Sequence, residues 1–356
     1  MKKILLITIG FVLAIGFSFA QYDTYSLEEV KSEITKQEAA VSAANDALNV
    51  LIERRELLDN AGWKFGGGAS ITGSQSWFNN WADGGENTTS ANVLASVFAN
   101  WKQGRKTWDN SLKVEFGQFK SGAQPWRKGL DKIGLTSKYG YELKNNWYFA
   151  TLFGLETQFT KGYQYLGIPN LVTGNEQRQF ISNLFAPAKI NLGVGFDYKP
   201  SDNFSLFISP LTARVFLIMD DGIARQGRYG NKIFDAAGNE IKAAYNANPA
   251  SWDNTKFELG AMLKARYQRD ITKGLNFSTD LELFSDYLNN PQNIDVVWGT
   301  YWTWALTDYL GLTYTTEVRY DHDIPITEFD EKGVVERVGP TTQFRQVLGA
   351  GLVYTF

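Results

Sequence analysis

Hydrophobic and polar residues alternate one by one along most of the chain, from Trp63 to the C-terminus. The alternation falls into twelve segments of about ten residues, the length of a tilted strand that crosses a membrane. The segments are 63–72, 91–103, 107–119, 130–143, 146–158, 188–198, 203–218, 255–269, 274–287, 295–306, 308–321 and 342–356. The pattern therefore predicts an all-β fold with an even number of antiparallel strands.

The connections between these segments alternate between short and long. The short ones have room only for tight turns, at Gly104-Arg105, Lys144-Asn145, Pro200-Ser201, 270–273 and Thr307. The long ones are polar and rich in Gly and Asn, at 73–90, 120–129, 159–187, 219–254, 288–294 and 322–341. A barrel that crosses a membrane sorts its connections in this way, with periplasmic turns at one rim and external loops at the other. A soluble β-sandwich, the alternative for so aromatic a chain, has no reason to do so.

The alternation also assigns the two faces of each strand. In segment 274–287, Leu275, Phe277 and Leu281 point one way, while Asp280 and Glu282 point the other. Because lipid offers no partner to a charged group, the charged face must turn inward and the lumen is expected to be polar. The predicted lumen-lining residues are Lys113, Glu115, Lys132, Lys138, Lys264, Arg266, Asp280, Glu282, Glu317, Arg319 and Arg345.

Aromatic residues cluster beside the short turns, as expected for the girdle of a membrane barrel. They are Trp101, Trp108, Tyr141, Trp147, Tyr198, Phe204, Tyr267, Trp304 and Tyr309. At the C-terminus, Leu352, Tyr354 and Phe356 are in phase, which resembles the signal that the barrel-insertion machinery recognises. We predict a closed antiparallel transmembrane β-barrel of about 12 strands, in contact with outer-membrane lipid and located in the outer membrane of a Gram-negative bacterium.

The N-terminus carries the pattern of an export signal. Lys2 and Lys3 precede an apolar run at 4–17, and Ser18-Phe19-Ala20 supplies the small residues of a cleavage site. An anchoring helix is the alternative, but the run is shorter than the roughly 18 residues that span a bilayer. The chain has no cysteine, which excludes disulfides and a lipid-modified N-terminal Cys. The predicted divisions are a signal peptide at 1–20, a periplasmic helix at 21–62 and a barrel at 63–356.

Between the signal and the barrel, the hydrophobic period changes to 3.5 residues. The heptad positions are Leu27, Val30, Ile34, Val41, Leu48, Leu51 and Leu58, with Ala44 in the same seam and Gln37 and Arg55 interrupting it. A capping box of Ser26 and Glu29 begins a predicted helix of about 30 residues. Because such a seam must be buried, two interpretations are open. Residues 26–60 form a homo-oligomer or bind a periplasmic or envelope partner, or they form a spacer helix beneath their own barrel.

Charge and candidate chemistry exclude several function classes. Loss of Lys2 and Lys3 with the signal takes the formal charge from −3 to −5, which argues against nucleic acid as a partner. His322, between Asp321 and Asp323, permits a Ser-His-acid hydrolase only formally, because no motif ties a serine to it. Asp220-Asp221 and the Asp321/Asp323 pair lack the regular spacing of a calcium loop. We predict no enzyme activity, no cofactor and no metal.

Several stretches together resemble a known family. They are "WFNNWADGGENTTSANVLASVFANW", "TWDNSLKVEFG", "LTSKYGYELKNNWYFA", "FDYKPSDNFSLFISPLTARV" and "FSDYLNNPQNIDVVW". They are similar to Bacteroidota outer-membrane proteins that are catalogued as a domain of unknown function, over about residues 63 to 323. The resemblance implies a barrel in the outer membrane and brings no reaction or ligand.

Two functional hypotheses remain for the barrel. In the first, it is a narrow channel or porin-like transporter for small solutes, which pass the inward charged residues. In the second, those charges pair with one another and close the lumen, leaving a structural scaffold that binds other envelope proteins through its helix and loops. A barrel of eight strands encloses a filled core, and one of about 16 strands leaves a water channel. A barrel of about twelve strands lies between these cases, so the strand number does not distinguish the two hypotheses. The cost of burying many charges favours a lumen that water reaches.

Overall fold

A computed structural model describes residues 26–59, 61–77, 86–169, 176–241, 248–324, 326–329 and 335–355. The chain divides into two compact units, Met1–Asn60 and Ala61–Phe356. The predicted signal peptide and Phe356 of the predicted insertion signal lie outside the described residues.

The first unit contains helix α1, Leu27–Asp59. Its start confirms the predicted capping box, because the Ser26 N–H donates to Glu29 Oε2 at 2.8 Å and the Glu29 N–H donates to Ser26 Oγ at 3.3 Å. The seam side chains of Leu27, Ile34 and Leu51 are each more than half exposed. No helix in the described part of the chain combines the length and the apolar character that crossing a membrane requires.

The second unit is a closed antiparallel β-barrel, formed by twelve strands within the described residues. The barrel strands β1 to β12 are Gly62–Ser76, Thr88–Gln103, Lys106–Ser121, Arg127–Lys144, Trp147–Thr157, Ala188–Ser201, Phe204–Leu217, Thr255–Thr272, Leu275–Asp286, Asp295–Ala305, Leu310–Tyr320 and Gln343–Thr355. Strands adjacent in sequence are adjacent in the barrel, and pairing of β1 with β12, from Gly68↔Thr355 to Gly73↔Ala350, closes it. The predicted fold class is confirmed, and each predicted segment coincides with one of these strands.

Short turns lie at one rim and long loops at the other. The turns are Gly104-Arg105, Asn145-Asn146, Asp202-Asn203, Lys273-Gly274 and 306–309. Asn145 and Asn146 have φ angles of 53° and 66°, the left-handed conformation of a type I′ hairpin turn. Several turns lie one to three residues beyond their predicted positions, because the strands continue to pair through polar residues at this rim, as β8 does to Thr272.

The long loops of the opposite rim contain ordered structure of their own. A short helix α2, Asp221–Ala224, packs Ile223 and Ala224 against Ala186 and Ile218 in a small buried cluster. The Tyr229 hydroxyl donates to the Ile181 carbonyl at 2.7 Å, which joins the loop after β7 to the loop after β5. Burial raises the pKa of Tyr229 to about 12. The rim with long loops therefore has a folded surface.

The outer wall of the barrel is apolar, and exposed aromatic side chains lie near both rims, with Phe257, Trp298 and Phe344 near the long loops and others near the short turns. Ring pairs there include Trp63 with Trp108, with centroids 5.7 Å apart, and Trp147 with Tyr198, 4.9 Å apart. Leu192 of β6 is among the large apolar side chains exposed on the outer wall between the rims. A closed sheet with an apolar exterior and an aromatic rim is the architecture of an outer-membrane barrel.

Candidate functional site

The inner wall of the barrel carries a network of ion pairs, and some of these pairs join strands on opposite walls. Lys113 lies on β3 and Asp280 on β9, which are opposite each other in the ring of described strands. Their Nζ and Oδ2 atoms are 2.6 Å apart, and Arg266 Nε of β8 is 3.9 Å from the same carboxylate. The two side chains therefore extend towards each other from opposite walls of the lumen, and we call Lys113 and Asp280 the crossing pair.

A second group of ion pairs lies closer to the rim with long loops. Arg319 of β11 reaches across to Glu156 of β5 at 3.2 Å and also pairs with Glu317. Lys132 bridges the same two carboxylates, at 3.0 Å from Glu156 and 3.6 Å from Glu317. Arg345 of β12 adds contacts to Glu317 at 3.3 Å and to Glu115 at 3.0 Å. Cations and anions therefore alternate in one continuous network.

Arg214 of β7 is the centre of a third group on the other side of the lumen. Its guanidinium is 2.9 Å from Asp295, 3.3 Å from Glu282 and 3.5 Å from Glu258. It also lies over the Phe284 ring, 3.6 Å from the centroid. Lys189 and Lys264 contact Glu282 from β6 and β8, at 3.3 Å and 3.4 Å. A fourth group joins Lys138 to Asp197 near the short-turn rim.

These ion pairs differ in how far their side chains are exposed to solvent. The Lys113 and Asp280 side chains are 25% and 24% exposed, and that of Arg266 is 39% exposed. Arg214 and Glu258, by contrast, are only 3% and 2% exposed. The network thus has a hydrated part around the crossing pair and a dry part around Arg214 and Glu258.

The inner wall is not polar throughout, which corrects the expectation from the sequence. Ala150 and Leu152 of β5 and Phe207 of β7 form a buried apolar cluster. Their positions alternate with outward residues that are also apolar, such as Phe149 and Phe153. The apolar cluster fills part of the barrel interior beside the ion pairs.

All predicted lumen-lining residues take part in the ion pairs described above. The alternation also places Lys256 and Glu258 on the inward face, where they form ion pairs. Several other partners were missed, and they are Asp109, Glu156, Lys189, Asp197, Lys199, Arg214 and Asp295. Those on β5, β6 and β7 lie on strands whose inward faces also carry apolar residues, so the alternation alone did not assign their direction. That these residues line a path for solutes stays a prediction.

Three carboxylates lie together where the barrel meets the long loops. One oxygen each from Glu258, Asp286 and Asp323 falls within 4.8 Å of the others, a spacing that suits a metal ion. The Lys256 ammonium already lies among them, 2.6 Å from Glu258 and 3.0 Å from Asp323. The Lys256 ammonium therefore balances part of the charge of this group and lies against two of its three carboxylates.

The remaining candidates from the sequence have structural partners. The His322 Nδ1 atom is 3.3 Å from the Tyr320 hydroxyl, and no serine hydroxyl of the described residues bonds to the imidazole. Asp220 caps α2 by accepting the Ile223 N–H, and Asp221 accepts a bond from Asn254. Of the predicted insertion signal, Leu352 and Tyr354 point to the outer face of β12 and are more than half exposed.

The sequence matches one family model in part of the barrel. Residues 74–163 match the family described as "Protein of unknown function (DUF3078)". The match confirms the resemblance to a family of unknown function within this segment. It does not show a Bacteroidota origin. No curated protein matches the chain.

Solved structures that resemble the chain are outer-membrane barrels of several kinds. The translocator domain of the autotransporter NalP from Neisseria meningitidis is 11% identical with a TM-score of 0.35, over 90% of this chain and 98% of that one. The COG4313 outer membrane channel from Pseudomonas putida F1 is 14% identical with a TM-score of 0.34, over 83% and 96%. The outer membrane phospholipase A from Escherichia coli is 8% identical with a TM-score of 0.31, over 82% and 90%.

Proposed function

We propose that the barrel is a narrow channel for small polar or ionic solutes, constricted by the ion pair between Lys113 and Asp280. The proposal is supported by one observation above others, the partial exposure of both side chains in the middle of the lumen. A buried ion pair costs several kcal/mol in desolvation, and access of water removes much of that cost. Water that reaches a constriction is also the medium through which an ion or small solute passes.

The distribution of charge defines the selectivity that such a channel would have. Cations and anions occur in similar numbers and contact one another, so the wall presents no field of a single sign. Selectivity for charge in pores arises from rings of like-charged groups. The proposed channel should therefore discriminate by size more than by the sign of the solute's charge.

Recordings from planar bilayers test the proposal. The wild-type protein should give discrete current steps of small conductance, and Lys113→Ala with Asp280→Ala should increase the conductance because the crossing pair is removed. Lys113→Glu should shift preference towards cations. The matched control is Lys232→Ala with Glu240→Ala, which removes a pair of 3.0 Å in an external loop and should leave the conductance unchanged.

Membranes that stay silent with the wild type and with the lumen variant would contradict the channel. They would favour the second hypothesis, a structural scaffold, and one observation already points that way, since the crossing pair joins opposite strands directly. A silent wild type beside a conducting variant would instead mean that the pair closes the lumen at rest.

A further inference from the structure

Helix α1 presents an apolar seam that no other described part of its own unit covers. Leu27, Ile34, Leu48 and Leu51 lie along one side at heptad spacing, and each is exposed. The helix is about 50 Å long at 1.5 Å per residue. Helices in proteins gain most of their stability from burial of such a face, so we expect the seam to be covered by a partner of comparable length.

The order of charges along the helix distinguishes the ways in which two copies can pair. In a parallel pair, Glu33 faces Glu38 of the other copy at the flanking heptad positions, and Arg55 in the seam faces its own counterpart. Both contacts bring like charges together, and they outnumber the one complementary contact of this register, between Arg54 and Asp59. A parallel homodimer is therefore disfavoured.

An antiparallel pair relieves both contacts. With the two-fold axis near Ser42 and Ala43, Ile34 meets Leu51 of the second copy, and Val41 meets Ala44. Glu33 then faces Arg54 of the second copy, so the flanking charges are complementary on both sides of the axis. Next to the axis, the flanking positions are small residues that allow close approach, Ala40 and Ala47.

We infer that α1 is a homodimerisation helix that pairs with α1 of a second copy in an antiparallel arrangement. The seam supplies the apolar contact, and the Glu33 to Arg54 pairing sets the direction. The inference does not depend on whether the lumen conducts, and its test leaves the barrel unchanged.

Cysteine crosslinking tests the direction, because the chain has no cysteine of its own. The full mature protein is prepared in detergent micelles as Ile34→Cys and as Leu51→Cys, with tags of different size. Mixing the two variants and oxidising them should give a mixed dimer, while each variant alone should stay monomeric on a denaturing gel. Crosslinking of Ile34→Cys with itself would instead show a parallel pair and overturn the proposal.

The mass of the protein in micelles tests the association itself. Leu48→Glu with Leu51→Glu should reduce the protein mass by about twofold, from dimer to monomer, because charges enter the seam. Val50→Glu is the matched control, since Val50 is exposed on the same helix outside the seam and its replacement should keep the dimer. Retention of the folded barrel on an unheated gel shows that a variant has folded. A monomeric wild type, with no mixed crosslink, would mean that α1 pairs with no second copy and would overturn the proposal.

Discussion

Lys113 and Asp280 are 167 residues apart in sequence and lie on opposite walls of the barrel, yet their charged atoms are 2.6 Å apart. Strands β3 and β9 are not neighbours in the sheet, so this contact takes no part in strand pairing or in closure of the barrel. Substitutions at Lys113 and Asp280 therefore measure how much an ion pair across a hydrated lumen contributes to the stability of the barrel and to the conductance of the lumen.

We expect Lys113→Met to lower the free energy of unfolding by about 1.5 to 3 kcal/mol, the contribution of a hydrogen bond between charged groups. Asp280→Asn should cost a similar amount, and the double variant should cost less than the sum. Urea titrations in lipid vesicles measure each value. Additive effects, with a coupling below about 0.5 kcal/mol, would contradict a functional contact between the two groups.

Arg214 should be far more sensitive to replacement than Arg266, although both belong to the inner network. Arg214→Met leaves Glu282, Asp295 and Glu258 without their shared cation in a dry environment, which should cost about 3 to 5 kcal/mol. Arg266→Met is the control, because its side chain is 39% exposed and 3.9 Å from Asp280. We expect it to cost less than about 1 kcal/mol. The same urea titrations measure both values. Equal losses of unfolding free energy in the two variants would contradict the division of the network into hydrated and dry parts.

The strands and their order could be predicted from the sequence because successive side chains of a strand point to opposite faces. In a membrane barrel one face meets lipid and the other the lumen, which produces a regular two-residue period. β8 and β9 show this most clearly, since charges such as Lys264 and Glu282 alternate with outward apolar residues. β5 shows the limit of that signal. Phe149 and Phe153 point outward while Ala150 and Leu152 point inward, so both faces are apolar and the direction of Glu156 is hidden.

Which charged residues pair with each other could not be predicted from the sequence either, for a different reason. Period and turn length determine which residues point inward, but not how far a side chain extends across the lumen. The contact between Arg319 and Glu156 depends on the curvature and stagger of the closed sheet. No local pattern encodes that geometry.

Gly260 of β8 should tolerate no side chain, because the sheet leaves no space for one. A Cβ atom at this position would lie 1.9 Å from the Ser285 carbonyl oxygen of β9. Gly260→Ala should therefore force the strands apart and cost about 1 to 3 kcal/mol, the range for overpacking. The control is Gly134→Ala, where the nearest atom is Lys132 Cε at 4.0 Å, and where we expect a change within about 0.5 kcal/mol. Similar stability of the two variants in urea titrations would contradict the close approach of β8 and β9.

The capping box of α1 should make the start of the helix sensitive to acid. Hydrogen bonds from the Ser26 N–H and hydroxyl hold the pKa of Glu29 below its ordinary value of 4.5. Because the folded state lowers this pKa, the cap is complete above pH 4.5 and is lost as the pH falls through the lowered pKa. Carbon NMR of the Glu29 carboxyl group in the full protein measures the titration. Ser26→Ala removes the hydroxyl bond and keeps the N–H bond, so it should return the pKa only part of the way towards 4.5. A titration that this variant leaves unchanged would mean that the Ser26 hydroxyl does not hold the carboxylate.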